Sequence, residues 1–230
     1  MSARPQTAGQ VAALIDHTVL KPEATRSDIE RLCTEALQYQ FASVCVNSVF
    51  TGQVAERLRG SPVKTCVVVG FPLGANLTSV KVFEARAAME LGAQELDMVL
   101  NVGSLKAGDD VAVGADIRAV LAAAHEGGAI LKVIIETSLL SEEEKLRACK
   151  LVREAGADFI KTSTGFGTAG ATEADVALMR GAVGPEMGVK ASGGVRTLEA
   201  LLKMVEAGAT RIGTSNGVSL AQEALQKYGI

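Results

Sequence analysis

Five ionisable residues sit where a soluble chain has little reason to put them. Asp16 in LIDHT, Asp97 in ELDMVLN, Lys132 in LKVII, Lys161 in FIKTS and Lys190 in GVKAS each lie inside or at the end of an apolar run. A charge in a core is strongly disfavoured unless it is paired, so these five are expected to meet. Three ammonium groups would then face two carboxylates, and the easiest relief is for one lysine to release its proton. An ordinary lysine, with a pKa of about 10.4, is only about 0.04% free amine at pH 7. Burial and a cationic neighbour raise that fraction, as they do in amines that attack carbonyl carbon. Imine-based covalent catalysis is therefore the chemistry this set suggests. The bland alternative is an ion network that only braces the fold, but a purely structural network tends to balance its charges and this set does not.

Metal-assisted chemistry is the obvious competitor, since a divalent cation also stabilises an enolate. The histidines speak against it: there are two, His17 and His125, in unrelated contexts and with no ligand spacing between them. His17 reads as a hydrogen-bonded core residue, and His125, beside Glu126-Gly127-Gly128, as a surface residue near a helix C-terminus. No metal or other cofactor is expected.

Glycine and hydroxyl residues crowd the late part of the chain: Thr162-Ser163-Thr164-Gly165, Ser192-Gly193-Gly194-Val195-Arg196 and Gly213-Thr214-Ser215-Asn216-Gly217. Each directly follows an apolar run. Glycines let backbone N–H groups approach an anion closely, and a helix N-terminus favours negative charge. Any one such loop is a plausible tight turn and nothing more, but together they predict a phosphate grip.

These residues need a frame that brings distant runs together at one end. Eight short runs, ALIDHT, FASVCV, KTCVVVG, AQELDMVL, AILKVIIET, ADFIKTS, GVKAS and ATRIGTS, alternate with stretches of helical spacing. Several are apolar almost throughout, as in parallel strands covered on both faces. Ser27 with Glu30 and Ser141 with Glu144 read as capping boxes that start two helices. Gly92-Ala93, Gly156-Ala157 and Gly208-Ala209 read as helix ends. The pattern predicts a TIM (β/α)8 barrel, in which loops after the last two strands commonly bind phosphate. An open doubly wound sheet is the alternative, but no G-x-G-x-x-G follows a strand.

The chain has 230 residues, 48% of them hydrophobic and 21% charged, with a net charge of −3. That length suits a single domain over residues 1–230, and the charge offers no field for nucleic acid. The four cysteines, Cys33, Cys45, Cys66 and Cys149, have no paired spacing and read as reduced, buried thiols. MSARPQTAGQ has no apolar signal core, and no stretch reaches the roughly 18 apolar residues of a membrane span. No membrane association and a cytoplasmic location are the expectations.

Six segments, LIDHT, ELDMVLN, LKVIIET, FIKTSTGF, VKASGGVRT and RIGTS, in this order, resemble the deoxyribose-phosphate aldolase family over nearly the whole chain. The resemblance implies a TIM barrel that reversibly cleaves 2-deoxyribose 5-phosphate to acetaldehyde and glyceraldehyde 3-phosphate without metal, as a homodimer or homotetramer. It makes Lys161 the Schiff-base lysine and Lys190 the second lysine, whose charge lowers the amine pKa of the first. Asp97 becomes the acid/base residue, working with Lys132 and a water, and Asp16 a supporting residue. The phosphate would be held by Gly165, Gly193, Gly194 and Ser215, with their neighbours Thr164, Val195, Gly213 and Asn216. Asn216 stands where the family has a second serine, and an amide still donates to phosphate. Tyr228 is assigned no catalytic role. On this basis Asp97→Asn is expected to slow proton transfer and leave the fold intact. A transaldolase-like enzyme with another donor and a non-catalytic sugar-phosphate binder are the two rival functions.

Overall fold

Apolar, β-branched runs become strands here because the chain can cover both of their faces. In the computed structural model, which describes residues 4–229, all eight runs are strands. They are β1 (Ile15–Val19), β2 (Ser43–Val46), β3 (Lys64–Val69), β4 (Glu95–Val99), β5 (Ile130–Ile134), β6 (Phe159–Lys161), β7 (Gly188–Ser192) and β8 (Arg211–Thr214). Each pairs in parallel with the next, and β8 closes on β1, giving the expected TIM barrel. The helices are α1 (Ala8–Ala12), α2 (Arg26–Tyr39), α3 (Thr51–Arg57), α4 (Thr78–Glu90), α5 (Val102–Lys106), α6 (Asp110–Glu126), α7 (Glu142–Ala155), α8 (Glu173–Val183), α9 (Leu198–Glu206) and α10 (Gly217–Tyr228). None is long and apolar enough to cross a membrane.

Successive side chains of a strand point to opposite faces, and here the two faces differ in kind. Leu96, Met98, Leu131, Val133, Ile160, Val189 and Ile212 belong to the main apolar core that the helices cover. Their neighbours Glu95, Asp97, Lys132, Lys161, Lys190 and Arg211 turn the other way and meet one another across the barrel. Much of the interior is thus an ionic layer, beside a small apolar cluster of Leu20, Cys45, Cys66 and Val68, where such barrels usually carry branched apolar layers.

Local signals set the helix ends. Ser141 caps α7 in a full capping box with Glu144, as its spacing predicts. For α2 the expectation needs correction: the box is Thr25 with Asp28, two residues before the predicted one. Thr25-x-x-Asp28 carries the same donor and acceptor chemistry as Ser27-x-x-Glu30 and starts first, so Ser27 falls inside the first turn and its hydroxyl meets that of Thr25 at 3.0 Å. Gly156 ends α7 in the left-handed conformation, and Gly92 and Gly208 take positive φ just beyond α4 and α9. Ser141→Ala removes a cap at an exposed helix start. Urea denaturation should show a loss of about 1 kcal/mol, with turnover unchanged.

Candidate active site

The strands' C-terminal ends surround a cavity of about 430 Å³. It is lined by Thr18–Lys21 at and after the end of β1, by Lys161 and Thr164–Phe166 on and after β6, by Ser192–Arg196 at and after the end of β7, and by Gly213–Asn216 at and after the end of β8. Every residue assigned to the phosphate grip is on this wall. The cavity floor is the ionic layer.

Asp97 is the centre of that layer and is fully buried. Its Oδ1 accepts from Lys132 Nζ at 2.8 Å and from the Cys66 thiol at 3.2 Å. Its Oδ2 accepts from both Lys161 and Lys190 Nζ, each at 2.7 Å. The last two nitrogens are therefore at most twice that distance apart. Strand register explains the meeting, since Asp97 is opposite Lys132 and Lys161 is opposite Lys190. Asp16, also fully buried, lies 2.5 Å from Lys190 Nζ and 2.7 Å from an Arg211 nitrogen, and accepts from Ser43 at 2.6 Å. All five residues singled out in the sequence are brought together.

The sequence reading missed two charges of this cluster. Glu95 bridges Lys132 at 2.6 Å and Arg211 at 2.9 Å. Both had a visible signal: Glu95 is two residues before Asp97 and so shares its face, and Arg211 opens an apolar run as the lysines punctuate theirs. With them included, Lys132, Lys161, Lys190 and Arg211 face Asp16, Glu95 and Asp97, four cations against three anions. The excess positive charge inferred from the sequence survives the correction.

The cluster fixes its own ionisation. Burial opposes charge on Asp97, but the three lysines outweigh it and hold the carboxyl ionised well below the usual carboxylate range. Asp16 goes the same way, with burial outweighed by Lys190, Lys132 and Arg211. For Lys132 and Lys190, burial disfavours the ammonium, but the anionic groups around them, Asp97 foremost for Lys132 and Asp16 for Lys190, push both above the usual lysine range. The signs give a pH prediction by linkage. The aspartates' contribution to stability is complete above about pH 3.9, the ordinary Asp value, and is lost as pH falls below it. The lysines' contribution is complete below about pH 10.4 and is lost as pH rises beyond it. Urea midpoints should be flat from about pH 5 to 9 and fall on either side; a midpoint still rising toward pH 3 would contradict the assignment.

Two groups of possible metal ligands occur among the described residues: Cys45, Cys66 and Asp97, and Asp16, Cys66 and Glu95. Both are interleaved with the four cations, whose charge opposes a divalent ion there. The histidines lie outside the cluster. His17 is buried and pairs with Glu35 at 2.7 Å, and half-exposed His125 pairs with Asp158 at 3.0 Å.

The loops above the floor are shaped by close backbone approach. A Cβ on Gly193 would come within 2.9 Å of Gly170 Cα and 3.8 Å of Gly165 Cα, so the loops after β6 and β7 pack main chain to main chain. A Cβ on Gly213 would press on Ser192 and the Lys190 stem, so that glycine also makes room for the lysine. Thr164 differs from the other grip residues, because its N–H and its hydroxyl are both donated to Glu136.

Comparison with known proteins agrees with this geometry. Residues 10–227 match the model of the DeoC/LacD family aldolases. The chain is 60% identical over 216 residues to the deoxyribose-phosphate aldolase of Thermococcus gammatolerans, which covers 93% of this chain and 96% of that protein. It is 59% identical over 212 residues to the one from Geobacillus sp. (strain WCH70), covering 92% and 95%. Among solved structures, the tetrameric deoxyribose phosphate aldolase from Aeropyrum pernix superposes with a TM-score of 0.89 at 36% identity, covering 95% of this chain and 92% of that one. Another aldolase superposes with a TM-score of 0.90 at 42% identity, covering 94% and 96%. A barrel whose mouth carries a lysine-rich ionic floor under a glycine-rich rim, with such relatives along nearly its whole length, belongs to the DeoC/LacD family of aldolases.

Proposed function

We infer that this protein is a deoxyribose-phosphate aldolase, a lyase that reversibly cleaves 2-deoxyribose 5-phosphate to glyceraldehyde 3-phosphate and acetaldehyde through an imine on Lys161. One observation carries the assignment of the nucleophile. All three lysines of the ionic layer are buried, at 0% exposure for Lys132 and Lys190 and 2% for Lys161, but Lys161 alone of them lines the cavity. A carbonyl at the floor of the cavity has one amine of the ionic layer to meet.

The chemistry follows from that placement. The Lys161 amine adds to C1 of the open-chain sugar, and the carbinolamine loses water as Asp97, Lys132 and a water molecule relay the protons. In the resulting iminium the C3 hydroxyl gives up its proton to the same relay and becomes a carbonyl. The C2–C3 bond breaks, and its electron pair moves toward nitrogen to leave an enamine. Glyceraldehyde 3-phosphate departs with the phosphate. The enamine takes a proton at C2 and hydrolysis frees acetaldehyde and the lysine. Lys190, kept charged by Asp16 and Asp97, repels a second charge beside it. The loops carrying Gly165, Gly193, Gly194, Ser215 and Asn216 receive the phosphate, with exposed Lys21 and Arg196 on the same wall adding positive charge. The reaction so drawn needs no cofactor.

The test is reductive trapping. Acetaldehyde and borohydride should place one ethyl adduct on Lys161, located by peptide mass spectrometry, and dihydroxyacetone should fail as a donor. Phosphate binding without turnover or adduct would favour a sugar-phosphate binder instead. A cytoplasmic location fits the four buried free thiols. A homodimer or homotetramer fits the tetrameric Aeropyrum pernix relative and the outward-facing Leu73, Leu77 and Phe83, each about three-quarters exposed. Light scattering decides between them.

A further inference from the structure

Glu136 is the residue after Ile135, just beyond β5, and nothing in the chemistry above uses it. It is buried, yet it carries a carboxylate, and its φ of 53° is in the left-handed region that side-chain-bearing residues rarely adopt. Gln40 is the only other non-glycine residue with positive φ among the described residues, and it ends a helix, which is an ordinary use of that conformation. Glu136 has no such excuse. The N–H groups of Ile135 and Thr137, two residues apart, reach the carbonyls of Lys161 and Thr162, which are neighbours. Glu136 is the extra residue of a bulge, a device that re-aims a side chain at the end of a strand.

The bulge aims the carboxylate at the loop that follows Lys161. Its Oε2 accepts from the Thr164 N–H at 3.1 Å and from the Thr164 hydroxyl in a shorter contact. The Thr164 oxygen in turn accepts from the Phe166 N–H at 3.0 Å. Oε1 is 3.4 Å from the Ser138 hydroxyl, and a Cβ on Gly167 would fall 3.0 Å from it, so the loop is folded tightly over the carboxylate. Between these fixed points is Gly165, exposed, at φ 85°, lining the cavity and backed by Gly193 of the next loop. Backbone strain held in place by surrounding contacts clusters at functional sites, where it pre-organises a binding group.

We propose that Glu136 is a positioning residue for the phosphate end of the site: its carboxylate fixes the loop Thr164–Gly167 so that the segment around Gly165 is preset for the substrate's phosphate. This rests on the aldolase reading for what the phosphate belongs to, not for the loop's geometry. Thr164 is a post of the loop under this proposal, with its donors spent on Glu136.

The test uses Glu136→Gln, which keeps the side chain's shape and removes the charge, and Glu136→Gly, which suits the left-handed backbone and removes the carboxylate altogether. Hydrogen bonds to a charged group are worth about a tenfold effect or more. KM for 2-deoxyribose 5-phosphate should rise about tenfold in both variants while kcat changes little, and kcat/KM for unphosphorylated 2-deoxyribose should stay at the parent value. Binding of inorganic phosphate, followed by calorimetry, should weaken by the same factor. Thr164→Val should mimic Glu136→Gln, and the two together should do no more than either. A parent enzyme that turns over, with variants whose phosphate affinity and KM are unchanged, would overturn the proposal. So would equal losses on phosphorylated and unphosphorylated substrates, which mark a merely structural residue. If the parent does not cleave the sugar phosphate but the variants still weaken inorganic phosphate, the aldolase reading fails and the positioning role stands.

Discussion

Lys161→Leu should abolish imine formation and slow cleavage by roughly 10⁴-fold or more, the scale on which loss of a covalent nucleophile slows an enzyme, while the protein becomes no less stable. The first half follows from access. Lys132 and Lys190 are sealed beneath the cavity and cannot substitute for the missing amine. The second half follows from charge. With Lys161 gone, three cations face three anions, and Asp97 keeps both Lys132 and Lys190 as partners. Because Asp97 retains two ammonium partners, removing Lys161 leaves no uncompensated buried charge, the situation that costs about 3–5 kcal/mol. Strained or over-charged active sites commonly trade stability for activity in this way. Turnover, borohydride trapping and urea denaturation on one preparation check both halves. A variant that still turns over would remove Lys161 from the mechanism, and a strongly destabilised one would make it a structural member of the network.

Most of the frame that holds this site is readable in the sequence, because strands covered on both faces must be apolar and anything else in them stands out. Lys161 in FIKTS and Asp97 in ELDMVLN are conspicuous for that reason, and the glycines after the last strands mark the rim. What could not be read is what depends on closure. Arg211 and Asp16 are 195 positions apart and meet only because β8 pairs with β1. Arg211 therefore looks like a boundary charge until the barrel is closed. Glu136 is hidden for a different reason. A glycine announces a left-handed turn, but a glutamate forced into one by the register of its strand gives no sign in composition or spacing. The α2 cap was misplaced because two overlapping capping patterns, Thr25/Asp28 and Ser27/Glu30, carry the same chemistry, and propensity does not choose between them.

Asp97→Asn should have the opposite thermodynamic sign to Lys161→Leu, although both change the same contact. The sequence alone suggested that this variant would keep its fold, and the geometry revises that. Asp97 is the one group that touches all three lysines. An amide leaves four buried or nearly buried cations against two anions. Removing one side of a buried pair costs about 3–5 kcal/mol, and loss of the proton relay should lower kcat by about 10²–10⁴-fold. The stability deficit should also depend on pH. Lys132 and Lys190 keep Glu95 and Asp16 as partners but lose one counter-charge each, so their folded pKa values drop below those in the parent. The penalty is then largest at low pH and shrinks as they deprotonate, so the gap to the parent should be narrower at pH 9 than at pH 7. Adding Lys161→Leu to Asp97→Asn should recover part of the lost stability, because it removes one of the unpaired cations. That makes the two changes non-additive, as expected for residues in direct contact. Purely additive losses in the double variant would mean that Asp97 stabilises the barrel by something other than its charge.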